Sequence, residues 1–271
     1  MSTVTRAIDL LDLFTPQQGE LGLSEIRRKT GRDKATCYRH LCALEAAGLV
    51  EQNPVTKRYR IGPAVLRWAA IREATVPRRA SAEGPLRDLA EATGELAHLS
   101  LIDGARLQTL AQFDAGQHST RIVLEDIHLP FHATASGLAI LAFAAPETLA
   151  AGTGPLHRYT AHTIDDPAAL QARLEQIRAT GFGVSNQGYE LGVHGIAVPV
   201  FEAPDRVAGS VAVASVAARM SDDLERRIKH GLIIAGRQIT ANWGGTIPAS
   251  LDRVWRAYAG TDAPRRKEEQ A

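Results

Sequence analysis

Residues 31–62, GRDKATCYRHLCALEAAGLVEQNPVTKRYRIG, carry a helix signal followed directly by a hairpin signal. Asp33 is placed to cap a helix that ends near Ala46 and is closed by Gly48. Apolar residues recur within this helix at helical spacing and should face a core, at Cys37, Leu41 and Leu44. The segments GLVEQN and KRYRIG then flank an NPVT turn, which predicts two short strands. The stretch therefore predicts a helix followed by a β-wing.

Two further helices are predicted upstream of this stretch. The apolar pattern of RAIDLLDLF indicates a first helix, and Ser24 is placed to cap a second one, EIRRKTG, that ends at Gly31. Two helices joined by a tight turn form a helix-turn-helix, and the hairpin adds a wing to it. Residues 1–62 are therefore predicted to form a winged helix-turn-helix domain.

Basic residues concentrate in the same part of the chain. From Ser24 to Arg60 there are nine lysines and arginines against four acids, whereas the whole chain has a net charge of +1. A helix that enters the major groove of double-stranded DNA, with a wing that grips the backbone, needs such side chains. The residues expected to contact DNA lie on the third helix and on the wing: Lys34, Thr36, Tyr38, Arg39 and His40, then Lys57, Arg58 and Arg60.

Two readings of these charges are open. Arg39 suits bidentate recognition of guanine, and Thr36 suits a thymine methyl group or a phosphate. A solvated helix beside a basic hairpin would explain the charges equally well if they were the only observation. The helix-turn-helix spacing, the outward Arg39 and the basic wing coincide within one short segment, and this coincidence favours DNA binding.

The rest of the chain is predicted to hold a linker and a second domain. The alanine-rich residues 63–81 indicate a linker helix whose Leu66 and Trp68 are available to pack against a second copy or the second domain. Residues 82–245 combine alternating strand patterns with helical ones, which predicts an α+β fold. The tail over residues 246–271 ends in APRRKEEQA and is predicted to be disordered.

The motifs argue against an enzyme or a metal site. The GxSxG, GxGxxG and Walker motifs are missing from the sequence. The segment HLPFH has two histidines four residues apart, but its proline prevents a shared helical face. His98 and His132 are expected to be hydrogen-bonded structural residues. Neither a metal nor a cofactor is therefore expected, although an enzyme or ligand-storage protein whose first domain only dimerises stays open as an alternative.

Cysteine usage and hydropathy predict a cytoplasmic location. Cys37 and Cys42 are five residues apart, which fits neither a metal knuckle nor a disulfide framework. The richest apolar run, GLAILAFAA, is too short to span a bilayer, and no signal peptide is recognisable. A membrane partner is therefore not expected.

Several motifs, in order, resemble those of the IclR-type bacterial transcriptional regulators. They are RAIDLLDLF, LSEIRRKTG, KATCYRHLCALEAAGLVE and RYRIGPAVL, then LPFHATASG, TGFGVSNQGYELGVHGIAVPVF and SVAVASVAARMSDDLERRI. The resemblance extends to about Gly245. It implies a winged helix-turn-helix, a linker helix and a GAF-like effector-binding domain. It also implies a homodimer or a dimer of dimers that represses transcription in the commoner case and responds to a small organic effector.

The resemblance also implies an effector site between the HATASG segment and the central strands. The corresponding residues here are Thr134, Ser136, Gly137, Leu138, Ser185, Asn186, His194, Gly195, Ala212, Ala214 and Ser215. Ser185 replaces a common Asp, Gly195 a common Cys, Ala212 and Ala214 two common Ser, and Leu138 a usual Lys. These departures predict a larger, more apolar cavity for an aromatic ligand with one polar end. The alternative, that the alanines pack tightly and fill the cavity, stays open.

Overall fold

The computed structural model describes residues 2–104, 106–124, 128–203 and 206–261. The chain divides into two compact units, residues 1–77 and residues 78–271. Within the described ranges, no helix is both long and apolar enough to cross a membrane.

The first unit consists of four helices and a two-stranded sheet. Its elements are α1 (Thr3–Ile8), a 3-10 turn (Leu11–Leu13), α2 (Leu23–Thr30), α3 (Lys34–Ala46), β1 (Val50–Gln52), β2 (Tyr59–Ile61) and α4 (Ala64–Thr75). The strands pair antiparallel, and the backbone of Leu21 adds two hydrogen bonds to Tyr59 at 2.8 and 2.9 Å. The wing is thereby fixed to the helices. One core of ten buried residues, including Ile26, Cys37, Leu41 and Tyr59, fills this unit.

The predicted start of α3 is confirmed, and that of α2 is wrong. The Asp33 carboxylate accepts a hydrogen bond from the backbone N–H of Thr36 at 2.8 Å, as an N-cap residue does. In α2, however, Gly22 is the N-cap residue, and the Glu25 carboxylate accepts from its N–H at 2.7 Å. Ser24 lies inside the helix, because a glutamate three residues after the cap closes the first turn equally well.

The second unit is a six-stranded sheet with helices on both faces. Its strands are β3 (Leu96–Asp103), β4 (Arg106–Phe113), β5 (His128–Leu129), β6 (Gly183–Asn186), β7 (Val193–Ala203) and β8 (Arg206–Val216). Its helices are α5 (Arg78–Thr93), α6 (Ala135–Phe143), α7 (Pro146–Gly152), α8 (Pro167–Thr180), a 3-10 turn (Ala217–Arg219), α9 (Asp222–Asn242) and α10 (Ala249–Thr261). The strand order is β5-β4-β3-β8-β7-β6, and every neighbouring pair is antiparallel.

The alternation of side chains along the central strands separates the two faces of this sheet. Ala197 and Ala212 form a small buried cluster with Ala135 and Ala139 of α6. Their neighbours in sequence point the other way, and Val198 meets α9 beside Gly236. The α6 face is therefore lined by small residues, whereas the α5 and α9 face carries the branched aliphatic core.

The C-terminal segment contradicts the prediction of a disordered tail. Residues 249–261 form α10, and Trp255 in this helix is fully buried. Its indole Nε1 donates to the carbonyl oxygen of Gly181 at 3.1 Å. Gly181 has a φ of +80°, and a Cβ there would lie 2.7 Å from the same Nε1, so glycine is required. The predicted tail beyond Thr261 lies outside the described residues.

The helices around the linker differ from their predicted bounds. The helix predicted over residues 63–81 ends at Thr75, and α5 begins at Arg78 and continues through Pro85. Pro85 is the eighth residue of α5 and has no N–H to donate to the carbonyl oxygen of Ser81, which instead accepts a hydrogen bond from the side chain of Asn242 at 2.8 Å. The short helix α7 was not anticipated.

Candidate functional site

Four of the eight residues predicted to contact DNA lie on the solvent-accessible side of α3. Lys34, Tyr38 and Arg39 are exposed, and Thr36 is half-buried. The guanidinium Nη2 of Arg39 donates to the Thr36 hydroxyl at 3.2 Å, so these two polar groups stand side by side on the surface. The Asp33 carboxylate caps the first turn of α3. Hydrogen bonds from the hydroxyl and the backbone N–H of Thr36 lower the pKa of this carboxyl group.

His40 does not belong to this face. Only 8% of His40 is exposed, and its Nδ1 has no hydrogen-bond partner among the described residues. Position 40 lies three residues after Cys37 and four before Leu44, so it falls on the same inward stripe of the helix. Its prediction as a DNA contact is wrong for this geometric reason.

Two of the three wing cations are engaged within the unit. Arg58 forms an ion pair with Glu25 at 2.9 Å and donates to the carbonyl oxygen of Glu20 at 2.8 Å. Arg60 pairs with Glu51 and approaches the Glu20 carboxylate at 3.7 Å. These two arginines therefore attach the wing to the start of α2, although both are partly exposed.

Lys57 is the wing cation best placed to meet another molecule. It is exposed, and its ammonium group has no ion partner among the residues that the structure describes. Its backbone adopts a φ of +57° at the tip of the hairpin, where its N–H donates to the carbonyl oxygen of Asn53 at 2.9 Å. The wing thus holds one lysine outward at its tip.

A cavity of about 490 Å³ opens in the second unit, on the α6 face of the sheet. Strands β3, β6, β7 and β8 supply its floor, the start of α6 one wall and two loops its rim. Its lining consists of His98, Arg121, Ile122, Val123, Leu124, Leu129, Ala133, Thr134, Ala135, Ser136, Ser185, Tyr189, Glu190, Val193, Gly195, Ala212 and Ala214.

Six of the eleven residues predicted for the effector site line this cavity: Thr134, Ser136, Ser185, Gly195, Ala212 and Ala214. The other five do not. Gly137 packs against the backbone of Phe131, where a Cβ would lie 2.1 Å from the carbonyl oxygen. Leu138 is part of the large core, and Asn186 is exposed. His194 and Ser215 pair across β7 and β8 and, by strand alternation, face away from Gly195 and Ala214.

The small residues play two different parts. Ala212 is fully buried and packs under α6, as the tight-packing alternative requires. Gly195 and Ala214 face each other on β7 and β8, and both border the open space. A Cβ at Gly195 would lie 3.1 Å from the Cβ of Ala135, so larger side chains here would narrow the cavity beside α6.

The inner end of the cavity, where His98 of β3 meets Ser136 at the start of α6, is polar but uncharged. His98 is 6% exposed, and burial lowers its pKa to about 4. Its Nε2 lies 3.3 Å from the hydroxyl oxygen of Ser136, and its Nδ1 has no partner among the described residues. The hydroxyls of Thr134 and Ser185 are already engaged: they donate to the carbonyl oxygens of Pro130 at 2.8 Å and Ala133 at 2.7 Å.

The charged groups stand at the rim. Arg121 is 54% exposed and pairs with Asp114 at 3.1 Å, while Glu190 is exposed on the opposite loop. The rim loop is attached to the sheet through Arg219, which donates to the carbonyl oxygen of Thr120 at 3.1 Å. Two further hydrogen bonds, 2.6 and 2.7 Å long, join the same arginine to the buried carboxylate of Glu95.

Sequence reasoning missed His98 and the rim loops. His98 was treated as structural, yet it stands at an inward position of β3, opposite Ala212. A polar residue among apolar inward positions was the available signal. The rim residues of the loop before β5 have no periodic pattern, so the sequence offers no signal for their folding back over the sheet.

A winged helix-turn-helix followed by an α+β domain with an open cavity defines a class of protein: the ligand-responsive transcriptional regulators. Residues 3–54 match the IclR helix-turn-helix domain, and residues 73–241 match the C-terminal domain of bacterial transcriptional regulators of the IclR type. The chain belongs to the IclR family of transcriptional regulators and is not an enzyme.

Known proteins support this assignment along most of the chain. The HTH-type transcriptional regulator BhcR of Paracoccus denitrificans is 32% identical over 239 residues, which are 87% of this chain and 85% of BhcR. A crystal structure of an IclR-type protein from Silicibacter sp. TM1040 is 42% identical with a TM-score of 0.85 and covers 92% of this chain and 99% of its own. An IclR homologue from Microbacterium hydrocarbonoxydans, crystallised with 4-hydroxybenzoate, shares the fold at 21% identity and a TM-score of 0.74 over 90% and 99% of the two chains.

Proposed function

We propose that this regulator binds operator DNA through α3 and the wing tip and that it represses a catabolic operon until an effector binds. The exposed residues Lys34, Tyr38 and Arg39, together with the half-buried Thr36 beside Arg39, carry this proposal. Arg39 reads a guanine, Lys34 and Tyr38 hold phosphates at the helix start, and Lys57 reaches the backbone. The regulator acts in the cytoplasm, where bacterial DNA lies.

The effector is an aromatic organic acid or a close derivative bound in the cavity. A volume of about 490 Å³ suits one such molecule, and the borders at Gly195 and Ala214 leave room for a ring. The relative from Microbacterium hydrocarbonoxydans was crystallised with 4-hydroxybenzoate, which makes this compound the first to test. A GAF-like ancestry of the domain stays a prediction.

The functional form is a homodimer or a dimer of dimers. Three large apolar side chains of α4 are exposed: Leu66 at 72%, Trp68 at 48% and Ile71 at 55%. Exposure of large apolar side chains to water is unfavourable, and contact with another protein surface removes it. The surface that contacts α4 is α4 of a second copy, because such a dimer also presents two recognition helices to a two-fold symmetric operator.

Substitution of Arg39 tests the DNA-binding proposal. A duplex enriched by the wild-type chain from a random library serves as the probe in fluorescence anisotropy at fixed salt. Arg39→Ala should weaken binding to this duplex by about 1–3 kcal/mol, because one bidentate base contact is lost. Arg253→Ala, which removes an exposed arginine of α10, is the control and should bind as the wild type does. Equal affinities of all three proteins would exclude Arg39 from the interface.

A further inference from the structure

The floor of the cavity carries no positive charge. Among the described residues that line it, Arg121 is the single cation, and it stands at the rim with 54% of its side chain exposed. The other titratable groups of the lining are His98, Tyr189 and Glu190. A carboxylate at the inner end would leave water without meeting a counter-charge, which is unfavourable. The N-terminus of α6 offsets this only in part, since a helix end is equivalent to about half a charge.

His98 and Ser136 instead offer a neutral pair of hydrogen-bonding groups at the inner end. Both are more than nine-tenths buried, and His98 Nε2 lies 3.3 Å from the Ser136 hydroxyl oxygen. A neutral imidazole has one donor and one acceptor nitrogen, and Nδ1 of His98 has no hydrogen-bond partner among the described residues. A buried polar atom without a partner costs free energy until one arrives. The imidazole of His98 therefore has hydrogen-bonding capacity that the described residues do not use.

The strands beside His98 leave space for a ligand next to this residue. His98 stands directly opposite Ala212 across β3 and β8, and Ala214 stands opposite Gly195 across β8 and β7. All four residues line the cavity, and three of them have no more than a methyl group. A flat ring can therefore lie across these strands with its polar end toward the imidazole.

We infer that His98 is a specificity-determining residue that binds a neutral hydroxyl at the inner end of the effector, with the carboxylate of the effector at the rim. A hydroxyl both donates and accepts, so it suits either tautomer and either orientation of the ring. At the rim, the carboxylate keeps its water and lies near Arg121. This inference rests on the proposed role of the cavity as the effector site and adds which effectors it selects and how they are oriented.

The test compares two ligands that differ by one hydroxyl. Titration calorimetry of the full chain with 4-hydroxybenzoate and with benzoate should give a dissociation constant about tenfold smaller for 4-hydroxybenzoate, as one buried hydrogen bond implies. In His98→Leu this preference should disappear while benzoate still binds within about twofold of the wild type. His98→Gln, which keeps a neutral polar side chain, should retain part of the preference.

His194→Leu is the matched control, because this histidine stands on β7, two strands from β3, and faces the opposite side of the sheet. It should leave the preference unchanged. Equal binding of both ligands to the wild-type chain, or a preference that survives in His98→Leu, overturns the inference. Should neither ligand bind, the aromatic effector and this inference fail together, whereas the Arg39→Ala measurement judges DNA binding independently.

Discussion

At the scale of single residues, His98 links ligand recognition to stability. Enclosure in the wall of the cavity keeps the imidazole neutral, because a buried imidazolium would lose its water without gaining a counter-charge. The same enclosure lowers the stability of the folded chain at low pH, because the buried imidazole stays neutral while the imidazole of the unfolded chain is protonated. A residue that selects the ligand is thus also a point at which acid weakens the fold.

The pH dependence of unfolding tests this view of His98. Burial lowers its pKa from 6.5 to about 4, so between these values the unfolded chain binds a proton that the folded chain does not. Protonation of His98 in the unfolded chain therefore leaves the free energy of unfolding unchanged above pH 6.5 and lowers it as the pH falls from 6.5 toward 4. From pH 7 to pH 5 the loss is about 2 kcal/mol. Urea titrations should show a loss about 2 kcal/mol smaller in His98→Gln, which has no proton to gain. An identical loss in both proteins would mean that His98 is not enclosed.

Residue-level roles were predictable from sequence only where local geometry decides them. The cap at Asp33 and the inward stripe of α3 follow from spacing alone. His40 shows the limit of this reasoning: it was grouped with its basic neighbours by chemistry, although its position on the helix assigns it to the core. His98 could not be assigned to a ligand, because the space beside it depends on α6 and β8, which are distant in sequence.

At the scale of elements, α10 shows how a charged, apparently weak segment becomes ordered. Its composition suggested disorder, yet one large side chain, Trp255, enters the core beside α8. Tyr258 adds an edge-to-face contact with Phe182, whose ring centroid is 5.2 Å away. Tertiary packing therefore decides this helix, and propensity along the segment does not.

Substitution of Trp255 should accordingly be costly. Trp255→Ala removes the largest fully buried side chain and its hydrogen bond to Gly181, with an expected loss of about 3–5 kcal/mol in the free energy of unfolding. Urea titration followed by circular dichroism measures this loss. Arg256→Ala, an exposed neighbour on the same helix, should change stability by less than about 0.5 kcal/mol. A loss below about 1 kcal/mol in Trp255→Ala would contradict the packing of α10 described above.

The elements were predicted better than their ends. The alternating strands β3, β4, β7 and β8 and the capped helices α3, α6, α8 and α9 follow from period and capping residues. The break between α4 and α5 falls at Val76 and Pro77, and the proline marks it in the sequence. The short α7 was not anticipated. The strand order places β8 beside β3, and no local pattern in the sequence shows that pairing.

At the scale of the whole molecule, the central claim is that occupation of the cavity changes the affinity for DNA. Such coupling is a free energy shared between two sites, so each ligand must alter the affinity of the other by the same factor. The exposed apolar residues of α4 suggest that two copies carry this coupling together, since paired recognition helices respond to any change in their spacing.

The most direct measurement is therefore a titration of a fluorescent duplex, enriched from a random library by the wild-type chain, with and without saturating 4-hydroxybenzoate. Bound 4-hydroxybenzoate is expected to change the dissociation constant for DNA by at least about fivefold, the lower range for allosteric coupling. Saturating DNA should change the dissociation constant for the ligand by the same factor. If 4-hydroxybenzoate binds the chain while the affinity for the duplex stays the same, the cavity is not a regulatory site and the account is contradicted.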